Sequence, residues 1–532
     1  LVGFRQEMDR RGICQVGVVG MQGPEVDTLP MYLMQWSELP VTSAGRKPTK
    51  SGSQSTTAVE QTTYNNMSAT TVIPPVYAVD SEVFRDDLTG QLLDPVLVRL
   101  ARQKELEYFA SKQVWLKRPV AEARKVMGCA PVSVRWVDVN KGDDVNPNIR
   151  SRLVARQIRH AGEESIFAPT PPLEALRTVL SLAATDLPGQ TPKCRDPHSE
   201  HRQQISAVDI SRAYFNAETD PKEPCYVQLP AEDADRDRGM CGLLMKHMYG
   251  TKRAADGWQQ EYSSQLRSMG FVQGIACPCV FTHPSRGLVC SVHGDDFTTA
   301  GEKLQLDWFE DSLEAKYELK REGRLGPGPL DKKELSVLNR ILRYTPQGIE
   351  YEADPRQCER LLEELGLDDD CKKAATPGLK PLGHQLEADV PLDEKDHTKF
   401  RGTAARANYL ASDRSDVQYA SKETCRFMSS PTELSMGALK RLGRFLLGAK
   451  RLIYKYEWQT ADRIECYSDT DWSGCGRTRR STSGGCIMIG THCIKTWSTT
   501  QPTVTLSSGE AEFYGVVKAS GAALGQQSLL RD

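Results

Sequence analysis

Two adjacent aspartates, Asp295 and Asp296, stand between apolar runs in the segment LVCSVHGDDFTTA, and a third, Asp209, stands in a similar run, ISAVDISRAYF. Adjacent carboxylates raise each other's pKa unless a cation neutralises them. Because such apolar runs favour strands, we expect the pair to lie at the tip of a hairpin that faces Asp209. Three carboxylates on two neighbouring strands could hold two Mg²⁺ ions, an arrangement that performs in-line phosphoryl transfer.

The apolar setting distinguishes this pair from the other Asp-Asp sequences of the chain. Those at 86–87, 143–144 and 368–370 have polar surroundings, which are typical of solvated turns and helix ends. The pair at 295–296 follows a run of apolar residues, and Gly294 permits a tight turn just before it. The residues alone leave a solvated turn and a metal site open.

A second group of acids lies near the C-terminus, where three short strands are followed by a helix, SSGEAEFYGVVKASGAAL. Asp469 and Asp471 point the same way from the first strand, because side chains alternate along a strand. Glu510 and Glu512 are about 200° apart on the helix, so only one can face the sheet. A capping box with Ser507 would occupy Glu510, which leaves Glu512 as the better metal ligand. Surface acids of a small sheet remain the alternative.

The elements between these acids follow from the hydrophobic pattern. We expect a strand at 133–139 paired with a second one in SRLVARQI, and a helix at 172–186. A helix is also expected at 303–320, and a strand at 334–344 paired with one at 349–352.

The net charge of −2 gives no global signal for nucleic-acid binding, so any such signal must be local. Two segments, 145–162 and 436–456, contain several basic residues and no acidic ones. Each could bind phosphate or could simply form a solvated face. No run reaches the ~18 apolar residues of a membrane span, and no signal peptide is visible. A start at Leu1 and an end in a helical pattern predict a fragment of a longer protein.

The order and the residues of these segments resemble part of the Pol polyprotein of copia-type LTR retrotransposons, namely its reverse transcriptase followed by its RNase H. The segments that carry the resemblance are SRLVARQI with FAPTPPLEALRTVLSLAA, VDISRAYFNAETDPKEPCYVQLP, MYGTKRAADGWQQEY, VHGDDF, CYSDTDWSGCGRTRRSTSGGCIMIG and SSGEAEFYG. The match runs in uninterrupted order over residues 95–532.

The resemblance implies an α+β fold, a right-hand polymerase with fingers, an antiparallel-sheet palm and a thumb, followed by a partial RNase H-like α/β domain. Residues 91–320 would form the fingers and palm, 321–460 the thumb or connection, and 461–532 a truncated RNase H-like domain. Nothing recognisable covers 1–90, where a Ser/Thr-rich linker is expected at 41–76.

By the same resemblance the chain is an RNA-directed DNA polymerase that uses Mg²⁺, for which Mn²⁺ can substitute. Asp209, Asp295 and Asp296 would be its catalytic, metal-binding carboxylates. Asp469 and Glu512 match the first two metal ligands of RNase H. The later ligands would lie beyond residue 532, which predicts an incomplete RNase H site.

The resemblance also implies the substrate contacts. Arg152, assisted by Arg150, would grip the triphosphate, and Tyr214 would exclude a ribose 2′-hydroxyl. The partners implied are an RNA template, a DNA primer–template and deoxynucleoside triphosphates, with no membrane, in a cytoplasmic retroelement particle or the nucleus. His293 and Gly294 differ from the residues that the family usually has just before the aspartates. An inactive remnant that binds nucleic acid without polymerising is therefore the alternative.

Overall fold

The computed structural model describes five stretches of the chain: 83–143, 145–158, 168–187, 202–380 and 383–532. The predicted linker at 41–76 lies outside them.

Strands and helices alternate irregularly within these stretches. The strands are β1 (Phe84–Arg85), β2 (Leu92–Leu93), β3 (Trp115–Pro119), β4 (Val134–Asn140), β5 (Ile149–Ala155), β6 (Thr185–Asp186), β7 (Gln204–Ile210), β8 (Tyr226–Gln228), β9 (Met240–Leu244), β10 (Val272–Gln273), β11 (Val280–His283), β12 (Leu288–His293), β13 (Asp296–Gly301), β14 (Leu319–Leu325), β15 (Glu334–Val337), β16 (Arg340–Thr345), β17 (Gly348–Glu352), β18 (Ile453–Glu457), β19 (Gln459–Thr460), β20 (Ile464–Asp471), β21 (Thr482–Ile489) and β22 (His492–Thr500). The helices are α1 (Pro95–Ser111), α2 (Val120–Met127), α3 (Leu173–Ala183), α4 (Ala254–Ser268), α5 (Lys303–Glu314), α6 (Pro355–Leu365), α7 (Gly383–Glu387), α8 (Glu394–Ala411), α9 (Gln418–Cys425), α10 (Glu433–Gly448) and α11 (Ser508–Arg531).

A six-stranded antiparallel sheet in the order β10-β11-β12-β13-β7-β14 is the centre of the fold. Helices α4 and α5 cover one face, where Trp258 and Phe309 pack with Val208 and Phe297 of the strands. Helix α3 covers the other face. Both faces of β7 and β13 are therefore buried, which is why these strands read as nearly continuous apolar runs.

Helix α3 lies between the central sheet and a four-stranded antiparallel sheet in the order β15-β16-β17-β18. Its Leu176 and Leu180 share one core with Ala207 of β7 and with Leu342 and Tyr351 of the second sheet. Burial on both sides explains why almost the whole circumference of α3 is hidden from solvent. The helix predicted at 172–186 is confirmed, with slightly shorter bounds.

On the N-terminal side of the central sheet, α1 packs with the β4–β5 hairpin and with the small sheet β3-β9-β8. The predicted strand at 133–139 and its partner form this hairpin, in which Val137 is opposite Arg152. After the second sheet, helices α6, α8, α9 and α10 enclose a separate core around Phe400 and Leu442. Strands β20, β21 and β22 then form the predicted antiparallel meander, and α11 packs Ala519 against Ile487.

Two predicted elements differ from the structure. The helix expected at 303–320 ends at Glu314, and residues 319–325 form β14, the sixth strand of the central sheet. The strand expected at 334–344 is two strands, because Leu338 and Asn339 both have a positive φ (50° and 64°) and form a tight turn. Such turns normally use glycine, so the sequence carried no visible turn signal here.

Candidate active site

The two aspartates lie at a two-residue hairpin turn. His293 of β12 is opposite Asp296 of β13, and Gly294 and Asp295 connect the two strands. Gly294 has a φ of +67°, whereas Asp295 keeps a negative φ. This is the backbone pattern of a type II′ turn, which places glycine first and twists with the strands. Gly294 is thus the residue that this turn requires, and the predicted hairpin tip is confirmed.

The turn is held on two sides. The indole Nε1 of Trp258 on α4 donates a hydrogen bond to the carbonyl oxygen of Gly294 at 2.8 Å. The backbone N–H of Ile210 donates to the carbonyl oxygen of Asp295 at 2.9 Å. Trp258 is buried at 2% exposure, so its indole gives a fixed anchor for the tip.

Asp209 lies beside the pair, as the sequence predicts. It is directly opposite Asp296 in the pairing of β7 with β13, and paired residues project from the same face of a sheet. On its other side, Asp209 is opposite Lys320 of β14. The side chains of His293, Asp296, Asp209 and Lys320 therefore form a row across four adjacent strands.

The acids in this row act on each other electrostatically. Burial raises the pKa of Asp296 to about 6, and the nearby carboxylates of Asp295, Asp209 and Glu322 add to the rise. Burial also raises the pKa of Asp209, with further contributions from Asp295 and Glu322 that Lys320 only partly opposes. A cation that bound between these acids would relieve this repulsion.

The donor set suits a hard cation but does not form a closed cage. Among the residues that the structure describes, no group of three or more His, Cys, Asp and Glu side chains is arranged to hold a metal ion by itself. Mg²⁺ typically takes one or two carboxylates and completes its shell with water and substrate phosphates. The half-buried oxygens of Asp209, Asp295 and Asp296 fit an ion of that kind.

Cationic and aromatic side chains flank the acids. The guanidinium of Arg152 on β5 lies 4.6 Å from the ring centroid of Tyr249, and that ring lies 4.9 Å from the ring of Tyr214. Burial raises the pKa of Tyr214, and Asp295 adds to the rise. Arg150, an exposed residue of the same strand as Arg152, is close enough to Asp209 to oppose the rise in its pKa.

Tyr249 has a place in this group that the sequence analysis did not assign. Neither its hydroxyl oxygen nor the Nε of Arg152 has a hydrogen-bond partner among the described residues, although both atoms are buried. The segment MYGTKRAADGW was singled out for its wording, yet nothing in one sequence showed that its tyrosine packs against Tyr214.

The second predicted acid pair is also brought together. A carboxylate oxygen of Glu512, on α11, accepts a hydrogen bond from the backbone N–H of Thr470 at 3.2 Å. Burial raises the pKa of Glu512, and Asp469 on β20 adds to the rise. Asp469 itself is exposed. The two acids thus lie near each other at the edge of the meander.

Glu510 is occupied at the start of the helix, as predicted. Its backbone N–H donates to Ser507 Oγ at 3.1 Å. Its carboxylate accepts from the backbone N–H of Leu506 at 2.7 Å, one residue earlier than an ordinary capping box would place it.

Comparisons with known proteins identify the family. Residues 123–326 match the family model described as reverse transcriptase (RNA-dependent DNA polymerase). The chain is 26% identical to the Pol polyprotein of transposon RE2 from Arabidopsis thaliana, over 79% of the chain and 27% of that protein. It is 24% identical to the Pol polyprotein of transposon TNT 1-94 from Nicotiana tabacum, over 73% of the chain and 28% of that protein. Residues 123–326 thus form a reverse transcriptase domain, and most of the chain is similar to copia-type Pol polyproteins.

The Pol match includes only part of its relatives, because the chain spans about a quarter of the length of these polyproteins. A shorter relative, an uncharacterized mitochondrial protein of Arabidopsis thaliana, is 31% identical over 32% of the chain and 70% of that protein. Asp209, Asp295 and Asp296 fall inside the reverse transcriptase match at 123–326, and Asp469 and Glu512 fall outside it.

Within the described ranges of the chain, the helices are either too short or too polar to cross a lipid bilayer.

Proposed function

We propose that the chain is an RNA-directed DNA polymerase of a copia-type retroelement, which extends a primer with deoxynucleotides. The observation that carries the proposal is the direct pairing of Asp209 with Asp296 beside the hairpin tip that bears Asp295. Besides burial, the nearby charge of Asp295 raises the pKa of both Asp209 and Asp296, so the site favours a divalent cation. The substrates would be an RNA or DNA template, a DNA primer and deoxynucleoside triphosphates, in a cytoplasmic retroelement particle or the nucleus.

In this proposal the central sheet is the palm. The β4–β5 hairpin and its neighbours within 91–320 would be the fingers, and residues 321–460 the thumb or connection. Strand β14 crosses the boundary at 320 and remains part of the palm sheet. Residues 461–532 would be an RNase H-like domain with Asp469 and Glu512 as metal ligands, since Asp469 on β20 is close enough to Glu512 on α11 to raise its pKa.

Asp209, Asp295 and Asp296 would hold Mg²⁺ or Mn²⁺, which supplies Lewis-acid activation of the primer hydroxyl and charge stabilisation of the leaving pyrophosphate. The chain's own contribution is to fix these carboxylates. Trp258 clamps the tip of the hairpin and β7 places Asp209 in register, so the donor oxygens need little rearrangement when substrate arrives.

Arg152 and Arg150 would bind the triphosphate, because a guanidinium matches phosphate geometry through two parallel hydrogen bonds. The unpartnered Nε of Arg152 is consistent with a ligand that supplies the missing acceptor. Tyr214 would exclude a 2′-hydroxyl by its rigid ring, which Tyr249 supports edge-on at 4.9 Å.

Primer extension tests the proposal. On poly(rA)–oligo(dT) with Mg²⁺ or Mn²⁺, the unchanged chain is expected to incorporate dTTP, and the Asp295→Asn variant to fall by about 10³-fold because one metal ligand is lost. Equal, background-level incorporation by both proteins would contradict the polymerase assignment.

Two observations favour a second candidate function, a remnant that binds nucleic acid without polymerising. The acids do not form a closed metal cage within the described residues, and His293 and Gly294 replace the family's residues before the aspartates. Salt-dependent retention of a primer–template by a protein with no incorporation would support this candidate.

Replacement of Gly294 tests the role of the turn. A Cβ at Gly294 meets no atom within 4 Å, so Gly294→Ala would add only backbone strain at φ +67°. We expect a loss of about 1–2 kcal/mol in stability and a fall in primer extension of ~10-fold or more, since the tip would shift.

Gly287 provides a matched control, because it has a φ of +62° and equally open space. Gly287→Ala should lower the urea midpoint as much as Gly294→Ala and leave primer extension within about 2-fold. A similar loss of activity in both variants would show that general destabilisation, rather than the position of the aspartates, is responsible.

A further inference from the structure

A loop between β20 and β21 carries three exposed arginines, and we call residues 472–481 the arginine loop. Arg477, Arg479 and Arg480 are all exposed. None of the three forms an ion pair with a carboxylate of the described residues, although Asp471 stands at the foot of the loop. The guanidinium of Arg477 lies 4.5 Å from the ring centroid of Phe427.

The backbone of the arginine loop is held in one conformation. Ser473 N–H donates to Ser481 Oγ at 3.0 Å, and Ser473 Oγ donates to the carbonyl of Arg479 at 3.0 Å. Cys475 N–H donates to the carbonyl of Arg480, and Arg479 N–H to that of Cys475. Ser473 and Arg479 have positive φ values of 55° and 56°, which cost free energy for residues with a side chain. Such strain persists where the surroundings fix it, often at a functional site.

The interior of the arginine loop favours negative charge. Burial alone raises the pKa of the Cys475 thiol, yet hydrogen bonds from Thr478 and Arg426 outweigh it and lower that pKa to about 7. Thr478 donates to the sulfur from both its backbone N–H, at 3.3 Å, and its hydroxyl, at 3.1 Å. Donors therefore converge from the loop and from the chain after α9 on one anion-favouring point.

The neighbours of the arginine loop extend this surface. Lys422 of α9 pairs with Glu423 at 2.7 Å and donates to Thr482 Oγ1 at 2.9 Å, at the position opposite Asp471. Trp472, the first residue of the loop, is 47% exposed although its Nε1 donates to the carbonyl of Thr505. Asp469 lies three residues before it on the same hairpin. A basic ridge with one exposed aromatic ring thus borders the Asp469–Glu512 pair.

The basic stretch that the sequence made conspicuous is different. At 436–456, Lys450 pairs with Asp369 at 2.7 Å and Arg451 with Glu352, and Arg441 donates to Thr376. These three of the six cations in the stretch are already engaged within the fold. A count of basic residues cannot separate engaged cations from unengaged ones, whereas the ion pairs can.

We propose that the arginine loop binds the phosphate backbone of a nucleic-acid duplex. The inference rests on the proposed function only in taking nucleic acid as the ligand. Three unpaired guanidiniums on a rigid turn can contact successive phosphates with little loss of conformational freedom. A flat anionic surface such as a membrane would also meet the exposed Asp469 and Asp471, whereas a duplex backbone can contact the ridge alone.

The test compares the triple variant Arg477→Ala/Arg479→Ala/Arg480→Ala with the unchanged chain, without deoxynucleotides. Equilibrium binding to duplex DNA and to an RNA–DNA hybrid is measured across a series of salt concentrations. Each lost phosphate contact should lower the salt-dependence slope by about 0.9, so we expect a decrease of about 2–3 and at least a 10-fold weaker affinity. If affinity falls for the RNA–DNA hybrid alone, the loop recognises the hybrid. If it falls equally for both nucleic acids, the loop binds the phosphates of any duplex.

A matched control removes three cations that are already paired, in Lys303→Ala/Lys395→Ala/Arg463→Ala, whose partners are Asp307, Asp393 and Glu465. This variant has the same net charge and should keep the slope. An unchanged slope in the arginine variant, an equal loss in the control, or a loss seen only with anionic vesicles would overturn the inference. Because no nucleotide is added, a chain that binds through the loop but fails in primer extension refutes the proposed function alone.

Discussion

The Asp296→Asn variant is expected to lose primer extension by about 10³-fold and yet to be more stable than the unchanged chain at pH 7. Activity would fall because the neutral amide lacks the negative charge with which the carboxylate would bind the metal. Stability would rise because the carboxylate is held where its charge is unfavourable, half-buried and beside Asp295 and Asp209. An activity loss combined with a stability gain is rare for a structural residue, so this pair of results would identify Asp296 as a functional one.

The sign follows from the pKa, which rises from 3.8 to about 6 in the folded chain. Above pH 6 the carboxylate is ionised in both the folded and the unfolded chain, and the repulsion raises the free energy of the folded chain only. As the pH falls below 6, the folded chain takes up the proton first and the difference shrinks. A shift of this size corresponds to about 3 kcal/mol, or about 1–2 kcal/mol after allowance for solvent screening.

Thermal unfolding at pH 7.5 and pH 5 measures the effect, with Mg²⁺ present or absent. The Asp296→Asn substitution should raise the thermal unfolding midpoint at pH 7.5, and should raise it by a smaller amount at pH 5. Mg²⁺ should stabilise the unchanged chain more than the variant. Asp354→Asn is the control of opposite sign. Burial raises the pKa of Asp354, but hydrogen bonds from Arg356 and Gln357 outweigh it and lower the pKa, so ionisation stabilises the fold there. A variant at Asp296 that melts lower at pH 7.5 would contradict the argument.

The hairpin of the aspartates and its neighbour strand could be predicted because their signals are local. Apolar runs on both sides of Gly294 fix two strands, and a glycine before the acids fixes the turn. The preference for Glu512 over Glu510 likewise needed only helix geometry and a cap, both of which are short-range.

Elements without such signals were missed. Strand β14 has few apolar residues, and a stretch rich in glycine and proline follows it, so pairing with β7 decides its structure. The turn at Leu338 and Asn339 contains no glycine. Similarly, the packing of Tyr249 against Tyr214 and the exposure of the arginine loop depend on contacts between residues far apart in sequence. No local sequence pattern indicates such contacts.

The Arg177→Met variant is expected to lose about 3–5 kcal/mol in the free energy of unfolding. Arg177 on α3 is 2% exposed and lies 5.1 Å and 4.8 Å from the ring centroids of Tyr351 and Tyr454. It pairs with Asp413 at 3.3 Å and donates to the carbonyl of Ile494 on β22.

This arginine connects four parts of the chain: α3, the second sheet, the segment after α8 and the C-terminal meander. Asp413 also pairs with Arg340 at 3.0 Å and accepts a hydrogen bond from the Tyr351 hydroxyl. Removing Arg177 would leave that buried carboxylate with a single cation and would leave the carbonyl of Ile494 without this donor. Since the network spans the junction, its loss should lower the unfolding midpoints of the central sheet and the meander together.

Urea unfolding followed by tryptophan fluorescence measures the loss, and Arg463→Met is the matched control. Arg463 has a side chain that is 74% exposed and pairs with Glu465 on the surface, so its replacement should change stability by less than about 0.5 kcal/mol. A loss below 1 kcal/mol for Arg177→Met would mean that the apolar methionine repacks between the two tyrosine rings and that the buried ion pair contributes little. In that outcome Asp413 retains enough stabilisation from Arg340 and Tyr351 alone, and the apolar core around α3 holds the central sheet and the meander together instead.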